Sequence, residues 1–414
     1  MHPVEKALIV STTTGSIAKG LMFSISSLYF TQVVGLRPAV VGAGLTVAGV
    51  AGMAASLAAG YLADRFGARR ILLGATLAQG AALAAYGICR GMTAFLLVAC
   101  VAVGAQGAQR TAQVTLLARA FQGAERANAR ARLRVATNVF VAVGSAAAAG
   151  PLTLGTKLAY EAAMLAAAAL VLCSLLALRT LPVVVVVARL ASLGPPLRDR
   201  RYLAVAALNG VITIQFGVLT VGLPLWVTGH TRAPAATVAL LLVLNTALVA
   251  LGQVRFTRRI TDVRSAGRAV FRAVVLLLTA CLLYAAAASG NAAAAACVLV
   301  PAVVAHSFGE ILSEAGGWQL AFDLADPRDA GAYQGISQTG FALGTALAPA
   351  TVTATAITHG TPGWIVLGAL FLAAGAATAG IASRVTPALS AGQECTPAAD
   401  SRPDGRAAPS PTTA

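Results

Sequence analysis

The chain has 414 residues, 58% of them hydrophobic and only 11% charged, with a mean hydropathy of +0.79. A soluble domain carries about 25% charged residues, so a water-soluble globular protein is excluded. Apolar runs of about 18 residues or more also exclude the ~10-residue alternating strands of an outer-membrane barrel.

Twelve helical spans are predicted, at about 8–33, 38–62, 69–89, 93–118, 133–155, 159–179, 203–227, 235–255, 269–289, 292–318, 333–357 and 362–383. Each can cross a ~30 Å hydrocarbon core, and the first is too long for a removable signal peptide. It carries Thr12, Thr13 and Thr14, whose hydroxyls can bond back to helix carbonyls, and Lys19, about 16 Å deep at ~1.5 Å per residue. After the second span comes GYLADRFGARR, residues 60–70, with one acid, three arginines and two glycines. The fourth span holds Gln106, Gln109 and Gln113, with Arg110 about 26 Å from its outer end. The fifth contains Gly150 and Pro151. Residues 180–202 break the series with a Pro-Pro turn signal and clustered arginines, as a hinge does, and the five valines from Val183 are expected to lie along the interface. Asn209 and Gln215 fall in the seventh span and Asn245 in the eighth. The tenth holds His306, Glu310 about 27 Å deep, and Glu314. Residues 385–414 are expected to form a disordered tail rich in Pro, Thr, Ala, Ser and Asp.

The net charge of +16 follows this topology rather than a nucleic-acid partner. With the amino terminus inside, 24 of the 30 Lys and Arg fall on the inner side, and Arg37, Arg90, Lys157 and Arg232 on the outer. This bias predicts cytoplasmic termini in a plasma membrane, with the lipid bilayer as the partner of the loops. The halves echo each other: Gly60 and Gly252 end the second and eighth spans, and Pro151 and Pro349 lie in the fifth and eleventh. The implied units are a bundle at 1–179, a linker at 180–202 and a second bundle at 203–384. The six cysteines show no metal-like spacing and are expected to be buried, inert thiols. Trp226, Trp318 and Trp364 lie near span ends, as interfacial anchors do.

The stretch at 60–70 resembles the signature loop of the major facilitator superfamily, G-x-L-a-D-r-x-G-r-r, at Gly60, Leu62, Asp64, Arg65, Gly67, Arg69 and Arg70. The resemblance implies an all-α membrane protein of twelve transmembrane helices in two pseudo-symmetric six-helix bundles, acting as a monomer. It further implies that Asp64 faces the positive amino end of helix 11, near residues 331–333, and latches the bundles; otherwise the acid only neutralises its neighbours. Phe256 replaces the acid in the second-half echo, so the latch is expected on one side only. GPLTLG, with Gly150, Pro151 and Gly155, resembles the helix 5 motif of drug:proton antiporters, with Leu154 in a glycine position. AQG at 105–107 resembles their helix 4 motif, but Val103 stands where that motif has arginine. DPRDAGAYQG, residues 326–335, resembles their loop before helix 11.

An ionisable group at mid-bilayer costs about 2.5–3.5 kcal/mol on insertion scales, so each one invites a functional reading. Lys19 either lines the central cavity, where it binds an anionic group or pairs with an internal glutamate, or it snorkels or lies buried as a neutral amine. Arg110 and Glu310 share a depth and either form a direct or relayed pair that closes the inner gate or find separate partners. His306 shares a helical face with Glu310, as a proton relay or as a core histidine. Glu314 faces the inner mouth, and Gln215 offers a hydrogen bond to substrate or to a neighbouring helix. No Walker loop, nucleotide fingerprint, catalytic constellation or metal cluster is present, so no cofactor is expected and an ATP-driven pump is disfavoured. The leading expectation is alternating-access efflux of a small amphipathic molecule, with protons as the coupling ion. The alternatives are proton-linked uptake of a small anionic metabolite, or a non-transporting sensor or enzyme.

Overall fold

The computed structural model describes residues 2–36, 38–89, 91–181, 194–234 and 236–384. The valine run and the tail lie outside the described residues. Among the described residues all regular structure is helical. The rods are α1 (Pro3–Leu28), α2 (Pro38–Phe66), α3 (Ala68–Tyr86), α4 (Met92–Ala120), α5 (Gly123–Ala147, resuming at Ala149–Leu154) and α6 (Lys157–Arg179). They continue with α7 (Arg200–His230), α8 (Ala236–Thr257), α9 (Val263–Ala286), α10 (Ala292–Asp323), α11 (Ala330–Val352) and α12 (Thr361–Ser383). Ten of these stretches, all but α1 and α3, are long and apolar enough to cross a membrane by length and composition among the described residues. Arg69 and Arg70 at the start of α3 lower its mean hydropathy. One end of the rods collects Arg65, Arg69, Arg119, Arg126, Arg258 and Arg264, and is called the basic end below.

Packing repeats in the two halves. In the first, α1 packs on α5 and α6, α2 on α4, and α3 on α4 and α6. In the second, α7 packs on α11 and α12, α8 on α10, and α9 on α10 and α12. The same small residues make equivalent crossings possible. Gly144 of α5 faces the Ile17 carbonyl of α1, and Gly344 of α11 faces the Gly210 carbonyl of α7, each too close for a Cβ. Small residues of this kind let helix backbones touch where hydrocarbon gives no hydrophobic drive for association.

Gly150 has open space around its Cα, so the close contact belongs to Gly144. Gly155, at φ +60°, ends the helix in a left-handed conformation that other side chains rarely adopt. Helices α1, α7 and α11 each widen into a π-turn in their outer half, at Tyr29–Val33, Val218–Gly222 and Thr353–Ile357. In α11 the turn follows Pro349, which cannot donate its own helical hydrogen bond.

Two tryptophans depart from the anchor role. Trp226 and Trp364 are fully buried, edge to face at 5.6 Å, and Trp226 donates to the Tyr284 carbonyl at 2.7 Å. An indole N–H in an apolar core needs such an acceptor. Cys89 and Cys281 are buried as expected, whereas Cys173 and Cys297 are exposed. The outward faces carry large apolar side chains such as Leu97, Leu176, Leu240 and Leu251, suited to lipid.

Candidate functional site

The two halves are joined at the basic end. Gly60 of α2 lies against the Gly331 carbonyl of α11, and Gly335 lies against the Ser56 and Leu57 carbonyls. This contact brings Asp64, on the last turn of α2, to the start of α11. There its carboxylate accepts from the Gly331 N–H at 2.8 Å and the Ala332 N–H at 2.7 Å. The first N–H groups of a helix have no partner within it, and Asp329 at the N-cap position supplies no side-chain bond. Asp64 therefore caps α11 in trans, where the helix dipole favours an anion. It also pairs with Arg119 of α4 at 2.5 Å, so latching and neutralising coexist on one carboxylate. Gly67, at φ +92°, turns the chain into α3. Arg69 donates to the Arg179 carbonyl at 2.7 Å, Arg65 lies over Phe66, and Arg70 is exposed.

The symmetry-related contact, α5 with α8, shows no carboxylate bridge among the described residues; there Arg258 donates to Asn128 at 3.2 Å. Alongside it runs a ladder between α5 and α10. Arg134 reaches Glu310 at 3.4 Å and Glu314 at 3.7 Å. Arg130 lies 3.3 Å from the Trp318 ring centroid, and the Trp318 N–H donates to Glu314 at 3.2 Å. Arg126 pairs with Asp323 at 2.5 Å over the Phe322 ring. The helices run in opposite directions, so residues four apart on each meet rung by rung.

Of the two readings of Arg110 and Glu310, this ladder fits separate partners and not a direct pair. Among the described residues, Arg110 makes no ion pair; its guanidinium rests 5.0 Å from the Phe341 ring centroid of α11. Glu310 is occupied by Arg134 and by Asn245, which donates at 3.2 Å. Shared depth set the two residues at one height, but their directions around the bundle differ. His306 is buried one turn from Glu310, its Nε2 without a hydrogen-bond partner among the described residues. Gln215 is likewise buried with an unpartnered Oε1. Gln113 donates to Thr12 at 2.7 Å, and Thr14 bonds back to the Val10 carbonyl at 3.1 Å.

Lys19 is exposed to a cavity of about 200 Å³ among α1, α2, α3 and α4. Its walls include Gln79, Gln106, Phe30, Leu45, Leu83 and Tyr86. Lys19 makes no ion pair with the described residues. Arg126, Arg130 and Arg134, which the sequence offers as cations of the inner side, and Asp323 are the members of this ladder that the candidate set lacks. Their signal was the four-residue spacing, matched by Glu310, Glu314, Trp318 and Phe322. Glu5, also missed, pairs α1 to α5 through Arg132 at 2.5 Å.

Residues 7–349 match the family model described as Major Facilitator Superfamily. Comparison with curated proteins finds no match. Among solved structures the chain is similar to the human organic anion transporter MFSD10 (TETRAN), at 18% identity and a TM-score of 0.71, covering 90% of this chain and 98% of that one. It is similar to a bacterial homologue of the iron transporter ferroportin in an outward-facing state, at 13% identity and a TM-score of 0.71, with 92% and 99% covered. It is also similar to the proton:xylose symporter XylE, at 14% identity and a TM-score of 0.64, with 90% and 94% covered. At such identities the likeness is one of fold.

Proposed function

The chain belongs to the major facilitator superfamily, and we propose that it is a proton-coupled exporter of a small amphipathic molecule, working by alternating access. In this reading, bundles 1–179 and 203–384 rock about the cavity between the two membrane faces, as a monomer in the plasma membrane with both termini cytoplasmic. The basic end is the cytoplasmic one, closed in the arrangement described above.

The observation that carries this reading is the contact of Glu310, on one half, with Arg134 of the other at 3.4 Å. A proton on Glu310 cancels the charge that holds this rung, and Arg134 then keeps only Glu314. Proton binding and the closing contact thus share one carboxylate, which is what coupling requires: the ligand must bind one state better than the other. Asp64 holds the same end independently of that proton. The exporter-like GPLTLG stretch supports the outward direction. A second reading, proton-linked uptake of an anionic metabolite, is favoured by the unpaired Lys19 in the cavity.

Right-side-out proteoliposomes loaded with amphipathic dyes of both charges test the proposal. Acidifying the outside should speed dye exit over protein-free liposomes, and Glu310→Gln should abolish the proton dependence. Net dye influx under the same gradient would favour the second reading. Movement no faster than in protein-free liposomes would reject transport.

A further inference from the structure

We propose that the Lys19 cavity is a subsite for a small amphipathic carboxylate, with the carboxylate held by Lys19 and Gln106 and the apolar body lying toward the outer end among Phe30, Leu45 and Leu83. This inference rests on the transporter reading and deepens it to a substrate class, for either direction of movement.

Polarity is sorted along the cavity. On α1, Lys19 lies eleven residues nearer the basic end than Phe30. On α3, Gln79 is nearer that end than Leu83 and Tyr86, and on α4 Gln106 is nearer it than Ala102. The deep end therefore offers an ammonium and two amides, and the outer end aromatic and aliphatic walls. Leu45, from α2, lines the same outer part. At about 200 Å³ the space lies below the ~300–1,000 Å³ of drug-sized pockets, which selects a compact molecule with one ring or a short chain.

Charge decides the head group. Glu310 and Glu314 are engaged by Arg134, and Glu314 also by the Trp318 indole beneath Arg130. Two cations against two anions make that ladder neutral. Lys19 and Arg110 make no ion pair among the described residues; the charge of Glu314 acts favourably on Arg110, whereas burial and the positive charges of Arg110 and Arg134 bear on Lys19. Arg110 lies one helical turn from Gln106 on the same face of α4. Cations held within the membrane without counter-charges are costly. A carboxylate supplies what is missing, whereas a cationic ligand adds to the repulsion and a neutral one leaves it unrelieved.

The test compares benzoate, benzamide and benzylamine, which share a ring and differ in charge, by calorimetry on the full-length protein in phosphatidylcholine nanodiscs. Benzoate is expected to bind at least about tenfold more tightly than either relative, a difference of ~1.4 kcal/mol. Lys19→Gln should remove that preference, and Lys19→Arg should keep it within about threefold (under ~1 kcal/mol). Equal binding of benzamide or benzylamine by the unaltered protein, or no benzoate binding, overturns the proposal without recourse to any variant. Loss of benzoate binding when phosphatidylglycerol replaces phosphatidylcholine also overturns it, by naming a lipid headgroup as the occupant. Dye transport without acid preference would sink this subsite and leave the transporter reading standing. Benzoate bound through Lys19, with no compound moved across proteoliposomes, would sink the transporter reading and leave the subsite.

Discussion

Asp64 accepts hydrogen bonds from a helix to which it does not belong, and its loss should be felt at the seam rather than in its own bundle. Hydrogen bonds to a charged group contribute roughly 1.5–3 kcal/mol each, so Asp64→Asn should raise the open population at the basic end by about tenfold or more. A cysteine replacing the buried Gln338 should then react correspondingly faster with a water-soluble maleimide; unchanged labelling would contradict the latch. Breaking a buried ion pair on one side costs about 3–5 kcal/mol. Arg134→Glu and Glu310→Arg should each lower the thermal unfolding midpoint, and their combination should recover much of it. The combination of Arg110→Glu with Glu310→Arg should recover nothing. The Asp64 contact with α11 was implied by the resemblance of GYLADRFGARR to the family loop, which names the residue and its partner helix. The ladder was not, because counting residues into a span yields depth but not azimuth. Arg110 and Glu310 consequently matched in height while facing different neighbours.

Among the elements, close helix crossings depend on particular glycines. Gly144→Leu and Gly344→Leu both force a side chain into a neighbouring backbone. Each should cost at least the ~1–3 kcal/mol typical of overpacking, read as a lower unfolding midpoint in detergent. Gly150→Ala, with open space around it, should be neutral or stabilising by up to ~1 kcal/mol. Residue types in the helix 5 stretch do not distinguish Gly144, which meets another helix, from Gly150, which does not. Helix α9 begins with a capping box in which Asp262 accepts from the Ser265 N–H at 2.8 Å while Ser265 reaches back to the Asp262 N–H. That backbone bond holds the Asp262 carboxyl below its usual range. The stability it contributes is therefore present above the usual carboxylate pKa of about 3.9 and lost as pH falls through the lowered folded value. Asp262→Ala should cost about 1 kcal/mol at neutral pH, and the unfolding midpoints of variant and parent should converge in acid. A constant gap at all pH values would contradict this assignment. The ends of α3, α6, α7 and α12 were legible to within about three residues, but α5 begins at Gly123 and not near 133, because its arginines interrupt the apolar run. The π-turns were not legible, since a π-turn changes no hydrophobic pattern.

At the scale of the whole molecule, hydropathy marks ten of the twelve rods among the described residues, all but α1 and α3, and each rod satisfies its own backbone hydrogen bonds in lipid. The duplicated packing was foreshadowed by the echoes near 200 residues, but which helices touch across the seam was not, since that depends on surfaces sequence spacing does not describe. The α2 contact with α11 and the α5 contact with α8 are equivalent in the duplication, yet one is held by a carboxylate and the other by an arginine–asparagine bond. Opening at the basic end should therefore begin with loss of Asp64 or of the Glu310 charge. Spin labels at exposed positions, replacing Arg65 and Arg264 at the basic end and Leu158 and Ser289 at the outer end, report each mouth separately by pulsed electron–electron distance measurement. In Asp64→Asn the account predicts that the basic-end distance lengthens while the outer-end distance shortens. Two distances that stay fixed, or that change in the same direction, would contradict a rocking of two halves about their common seam.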